Sequence, residues 1–210
     1  IVASPSGDVF LAARDRASAL LVDADTGTIR AELPAEGDSH VGAVDPSGAR
    51  VLVVGKEDEI VVWDVGSVRP LWRSELLGSA ITAAALAGDY VVVGTKNTHA
   101  HLWNWRERRL VRSWTPNLAQ LTQIGFAPDG AHFVLAGYDR RVLVCRTTDG
   151  TVEHDLRPHQ RSVIRAGYDA SGTRIVSASW DGDVVVTDAV TGIESIRLPE
   201  NRAFVQRWKA

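Results

Sequence analysis

The 210-residue sequence contains a single cysteine, Cys145, so no disulfide can form within the chain, and a cystine scaffold and a cysteine-rich metal cluster are both excluded. A reducing compartment is the natural setting, and a cytoplasmic location is expected. Methionine is absent, even at position 1, which leads to the expectation of an excised piece whose true start, with any targeting segment, lies upstream. Only Lys56, Lys96 and Lys209 among the 23 basic residues are lysines, an arginine preference associated with GC-rich coding and so with a bacterial source. No apolar run approaches the roughly 18 residues of a membrane span. The longest, such as 51–54 and 83–87, have strand length, so no membrane partner is expected. A dominant charge is missing as well: 23 basic and 26 acidic residues give a net charge of −3, which argues against a surface built to neutralise phosphates.

What the chain does contain is a repeat. Turn tetrads or their remnants end at Gly7 (Ser4-Pro5-Ser6-Gly7), Gly48 (Asp45-Pro46-Ser47-Gly48), Gly88 (Leu86-Ala87-Gly88), Gly130 (Ala127-Pro128-Asp129-Gly130) and Gly172 (Asp169-Ala170-Ser171-Gly172), at separations of 41, 40, 42 and 42 residues. Fifteen residues after each glycine stands a second marker pair: Val22-Asp23, Trp63-Asp64, Trp103-Asn104, Cys145-Arg146 and Thr187-Asp188. Five residues beyond three of those markers comes another glycine, at Gly27, Gly150 and Gly192. Proline fixes φ and glycine permits positive φ, so these sites are turns. Between them lie β-branched runs such as Val51-Leu52-Val53-Val54, Ile60-Val61-Val62, Val91-Val92-Val93 and Val184-Val185-Val186, which read as strands. Several of these do not alternate apolar with polar, so both faces of their sheets must be covered. About four strands fit into each unit of some forty residues, with no room for a crossover helix. A four-stranded sheet packed on both sides by copies of itself is a propeller blade, so the expected fold is an all-β propeller of four-stranded antiparallel blades.

These features resemble the WD-repeat β-propeller family over essentially the whole chain. The resemblance is carried by the Pro-Asp-Gly type turns, by Trp63-Asp64 and the degenerate Trp103-Asn104, and by the unit running from Pro158-His159 through Ser177-Ala178-Ser179-Trp180-Asp181-Gly182 to Thr187-Asp188. The family's Gly-His dipeptide is poorly kept, with only Pro158-His159 in register. The expected units are approximately 1–34, 35–74, 75–116, 117–158 and 159–198, with the start of a further unit at 199–210, where Asn201 to Val205 repeats the spacing of His159 to Val163. About five blades are therefore expected, in a single WD-repeat propeller domain or a portion of one. The resemblance implies a closed ring, most often of seven blades. Either further blades belong to sequence outside these residues, or five blades close with Phe204 to Trp208 completing the first.

His159, Ser177 and Asp181 have the residue types of a nucleophilic triad. The resemblance implies instead that the histidine before the inner strand, the serine on the second strand and the aspartate of the next turn form a buried structural hydrogen-bond network. Nine residues after the turn glycine the units carry Arg16, Glu57, Asn97, Asp139 and Asp181, and Thr187 stands where the network's tryptophan would sit. His99 and His101, at i and i+2, share a strand face, which can begin a zinc site. No third ligand is identifiable by local spacing, so packing near Trp103 is expected, with no metal and no cofactor. The inner strands at 40–44, 81–85, 121–125 and 163–167 are rich in small residues and poor in convergent acids and histidines, so no catalytic residue is assigned.

Trp180 precedes Asp181 as Tyr138 precedes Asp139, and the equivalent positions elsewhere are Asp15, Lys56 and Lys96. The resemblance places this position on the top rim, where partners bind. Tyr138, Trp180, Lys56 and Lys96 are accordingly the candidate partner-binding rim, an aromatic and cationic patch. Arg106-Glu107-Arg108-Arg109 and Arg140-Arg141 occupy predicted turns, and the mixed charge of the first marks a solvated loop, so a nucleic-acid partner is not expected. The function implied is a non-enzymatic interaction scaffold or recognition module within a larger signalling or defence protein. It would take protein partners through its top-face loops, or contact other domains or blades of the same parent. Two alternatives stay open: a propeller enzyme or small-ligand or metal-binding protein using the channel mouth, and a purely structural domain that positions its neighbours.

Overall fold

Each β-branched run between turn signals forms a strand, and consecutive strands pair through short turns, so the chain builds sheet after sheet as sequential antiparallel meanders. The structure is a computed structural model that describes residues 2–3, 9–13, 18–34, 42–54, 59–116 and 119–199. Among these residues there are five four-stranded sheets and no helix. The first sheet comprises β1 (Val2–Ala3), β2 (Val9–Ala13), β3 (Ser18–Asp23) and β4 (Ile29–Pro34). The second comprises β5 (Gly42–Val44), β6 (Arg50–Val54), β7 (Ile60–Asp64) and β8 (Arg69–Arg73). The third holds β9 (Ile81–Ala87), β10 (Tyr90–Thr95), β11 (Ala100–Asn104) and β12 (Arg109–Trp114). The fourth holds β13 (Leu121–Phe126), β14 (His132–Gly137), β15 (Val142–Arg146) and β16 (Val152–Leu156), and the fifth β17 (Val163–Tyr168), β18 (Arg174–Ser179), β19 (Val184–Asp188) and β20 (Glu194–Leu198). The expected segments Asn201 to Val205 and Phe204 to Trp208 lie outside the described residues, as do Arg16 and Glu57.

The marker pairs have a common geometric cause. In every sheet the third strand shifts register against the fourth, between Leu21 and Val22, Val62 and Trp63, Leu102 and Trp103, Val144 and Cys145, and Val186 and Thr187. A bulge adds local twist, and here it falls on the first marker residue each time. The second marker residue then caps the following turn. Asp23 Oδ1 accepts from Thr26 N (2.9 Å), Asp64 Oδ1 from Ser67 N (2.7 Å), Asn104 Oδ1 from Glu107 N (3.0 Å) and Asp188 Oδ1 from Thr191 N (2.8 Å). Arg146 cannot accept, and in the fourth sheet Asp149 Oδ1 takes over by accepting from Thr151 N (2.9 Å). The same turn needs a left-handed residue. Glycine supplies it at Gly27, Gly150 and Gly192 (φ 68°, 69° and 71°), and the two units without that glycine keep the conformation at Val68 and Arg108 (φ 54° at each).

The chain divides into two compact units, residues 1–114 and 115–210. In the first, strand alternation divides the apolar runs between two cores. Val51, Val53, Val61 and Trp63 pack with Val9, Leu11 and Leu21, while Leu52, Val54, Ile60 and Val62 pack with Ile81, Leu86 and Val91. Two-sided burial is thus why these strands do not alternate apolar with polar, and each buried Val, Ile or Leu contributes about 1.5–3 kcal/mol. On the inner strand β5 the close approach calls for glycine: a Cβ on Gly42 would come within 2.6 Å of Leu11 Cδ2 and 3.2 Å of Leu52 O. The buried Asp45 carboxylate links the second and third sheets, accepting from Ser47 N (2.9 Å) and Gly88 N (3.0 Å).

In the second unit, Val134, Ala136, Val142 and Val144 of the fourth sheet face Val163, Ala166 and Ile175 of the fifth. The Thr122 hydroxyl joins their inner strands by donating to Val163 O (2.8 Å). The other face of the fifth sheet exposes Val176, Ile196 and Leu198 at 40%, 45% and 56%.

Candidate functional site

The three triad-type residues meet inside the fifth sheet. His159 lies just ahead of β17, Ser177 is on β18 and Asp181 is in the turn leading to β19. A carboxylate only accepts, so His159 Nδ1 donates to Asp181 Oδ2 (3.2 Å), and Nε2 is left to accept from the Ser177 hydroxyl (2.9 Å). Two backbone amides complete the arrangement: Gln160 N donates to Asp181 Oδ2 (2.8 Å) and Asp183 N to Oδ1 (3.0 Å). Burial pushes the Asp181 carboxyl up, but those amides and His159 together outweigh it and hold the group below the usual carboxylate range. Ser177 is 2% and His159 3% exposed, so the serine hydroxyl has no route to a substrate. The positions matching Ser177 in the first four sheets are Ala12, Val53, Val93 and Leu135, which leaves the fifth sheet as the one with this network among the described residues.

Directly above this network the chain builds a surface. Tyr138 opens the turn from β14 to β15 and Trp180 the turn from β18 to β19, and they are 48% and 65% exposed. They line a shallow pocket of about 360 Å³ together with Arg140, Arg161 and Ser162. Its backbone is tied within the fifth repeat, where Trp180 N donates to Ser162 O (3.0 Å) and Ser179 Oγ to Arg161 O (3.0 Å), and across to the fourth sheet, where Ser162 Oγ donates to Tyr138 O (2.9 Å). Lys96 is exposed at the corresponding turn of the third sheet, in the first unit, and Lys56 lies outside the described residues. Within the second unit, the positive charge beside the two aromatics comes from Arg140 and Arg161. The sequence pair Arg140-Arg141 separates in the fold, because Arg141 turns away to grip Asp155 through Nε (2.7 Å) and its terminal nitrogen (2.8 Å). Arg140 was legible as the match of Gly182 in the repeat, whereas nothing in the sequence singled out Arg161.

Two further features lie in the first unit. His101 stacks on Trp103 (5.3 Å between centroids) and on His99 (6.1 Å), and burial, with His99 beside it, keeps its imidazole below the usual range. Among the described residues no group of three His, Cys, Asp or Glu is placed to hold a metal ion. A groove of about 660 Å³ runs past the outer strands of the second and third sheets, with Leu71, Trp72, Leu76, His101, Trp103 and Leu110 in its lining. In the sequence those leucines are indistinguishable from core residues.

Residues 150–188 match the family model described as "WD domain, G-beta repeat", a stretch that contains most of the fifth sheet and its polar network. This stretch is a WD repeat, and the four other sheets repeat its four-stranded antiparallel pattern. Over 200 residues it is 26% identical to Echinoderm microtubule-associated protein-like 2 of Rattus norvegicus, an alignment covering 90% of the chain and 30% of that relative. It is 33% identical to the Intraflagellar transport protein 122 homolog of Mus musculus over 87 residues, 40% of the chain and 7% of the relative. Over 148 residues, 68% of the chain and 16% of the relative, it is 21% identical to the Periodic tryptophan protein 2 homolog of Dictyostelium discoideum. The chain thus spans 30% or less of the length of these relatives. All three are eukaryotic and lend no support to the bacterial source associated with the arginine bias. WD-repeat domains typically mediate protein–protein interaction.

Proposed function

We propose that this chain is a non-enzymatic recognition module that holds a protein partner on the rim turns of its second unit, as a cytoplasmic part of a larger signalling or defence protein. The observation that carries this reading is the pairing of two exposed aromatic side chains, Tyr138 and Trp180, on a backbone tied together by Ser162. Aromatic anchors dominate binding hot spots, and turns that are already ordered lose little entropy on association. The closed position of Ser177 supports a scaffold over a hydrolase. So do the relatives' names, which speak of microtubule association and intraflagellar transport rather than of a reaction. The test is a pull-down with the wild type and a Tyr138→Ala/Trp180→Ala double variant of matched melting temperature. Capture should fall at least about tenfold, in line with hot-spot losses on the order of 2 kcal/mol, and undiminished capture rejects the rim.

A further inference from the structure

We propose that the rim pocket recognises an anionic side chain, a carboxylate or a phosphorylated hydroxyl, in an extended protein segment whose apolar neighbour lies against Tyr138 or Trp180. This rests on the rim reading above and adds the chemistry of the partner.

The first ground is a one-sided charge balance. The acids around the pocket are occupied: Asp139 and Asp155 by Arg141, and Asp181 by His159 and two backbone amides. The guanidinium groups of Arg140 and Arg161 make no ion pair or hydrogen bond with the described residues, and both arginines are exposed. Guanidinium is weakly hydrated for a cation and offers a planar fork that matches carboxylate and phosphate oxygens.

The second ground is the donor inventory. The Ser162 hydroxyl is spent on Tyr138 O, so the free side-chain groups are the two guanidiniums, the indole N–H of Trp180 and the hydroxyl of Tyr138. Three of the four are donors only, and a ligand rich in acceptors is the one that satisfies them.

The backbone at Arg140 accepts glycine. Arg140 holds φ at 74°, the left-handed region, where the equivalent turns use Thr98 at φ 70° in the third sheet and Gly182 at φ 93° in the fifth. Glycine adopts that conformation without strain, so Arg140→Gly removes the guanidinium without cost to the turn.

The test uses three synthetic nonapeptides with a common Gly-Ser frame and a core Phe-X-X-Phe, in which X is glutamate, glutamine or phosphoserine. They are titrated into the 210-residue chain by fluorescence anisotropy. At least one anionic probe should bind about tenfold more tightly than the glutamine probe, and should weaken as salt rises. Phosphoserine well above glutamate assigns the phosphorylated source, and parity assigns the carboxylate. Arg140→Gly should lower affinity for the anionic probe about tenfold while its melting temperature stays level or rises, an outcome that damage to the fold cannot produce. Arg161→Ala should lower affinity similarly. Equal binding of the glutamine probe, no binding of any probe, or unchanged affinity in Arg140→Gly overturns the proposal. If that happens while pull-down capture still depends on Tyr138 and Trp180, the rim reading survives and only the anionic preference falls; loss of that dependence removes the rim itself.

Discussion

In the second sheet, strands β6 and β7 send an almost unbroken apolar series, Val51 to Val54 and Ile60 to Trp63, into cores on both faces. The fifth sheet has the same meander but buries Ser177, Ser179 and Thr187 on the inner face of β18 and β19 and leaves Val176 exposed on the other. One sheet is held by non-directional burial between two neighbours. The other has one described neighbour and adds directional bonds, which reach into the turn that carries Trp180. A hydroxyl at position 177 is tolerable only because His159 satisfies it. In return the imidazole anchors Asp181, whose carboxylate organises the amides of Gln160 and Asp183. Burial alone would hold the sheet but would not set the geometry of its rim.

The comparison can be broken most forcefully at Leu52, which is fully buried. Leu52→Ala should cost about 3 kcal/mol in urea denaturation, from lost transfer free energy and the cavity left behind. His159→Ala should cost less, about 2 kcal/mol, by orphaning the Ser177 hydroxyl and removing a partner of Asp181. A loss greater than that of Leu52→Ala would mean the network, not burial, dominates.

The same network predicts a response to acid. Asp181 sits below the ordinary aspartate value of 3.8 when folded, so its contribution is complete above that value and disappears as pH falls through the lower folded one. Wild type should therefore lose stability below about pH 4 relative to an Asp181→Asn variant, read as converging melting temperatures. Parallel curves would show that the carboxylate charge contributes nothing. The smallest effect is expected at the left-handed turn of the third sheet, where Arg108 stands exposed in place of glycine. Arg108→Gly should stabilise by up to about 1 kcal/mol, because relief of strain exceeds the added chain entropy. A destabilised variant would show that the turn carries no strain.

Much of the fold could be read from the sequence, because its signals are local. The turn glycines recur at near-constant separation, and the failure of Val51 to Val54 to alternate correctly implied two covered faces. The left-handed positions at Val68 and Arg108 were hidden, since the turn after the bulged third strand keeps that conformation without a glycine to mark it. The candidate site was legible in part. Tyr138 and Trp180 share one position in the repeat, and the structure brings them to one pocket. Arg161 could not be foreseen, because it reaches the pocket through bonds between segments 18 and 24 residues apart, Ser179 to Arg161 and Ser162 to Tyr138. Lys56 and Lys96 were chosen by the same register, but Lys56 lies outside the described residues and Lys96 belongs to the first unit.

The claim that a polar network holds the rim of the fifth sheet is tested most directly by amide hydrogen exchange of wild type against His159→Ala. Exchange should accelerate at Gln160 and from Trp180 to Asp183 while Val51 to Val54 stay protected. Unchanged exchange at those rim amides would contradict the account.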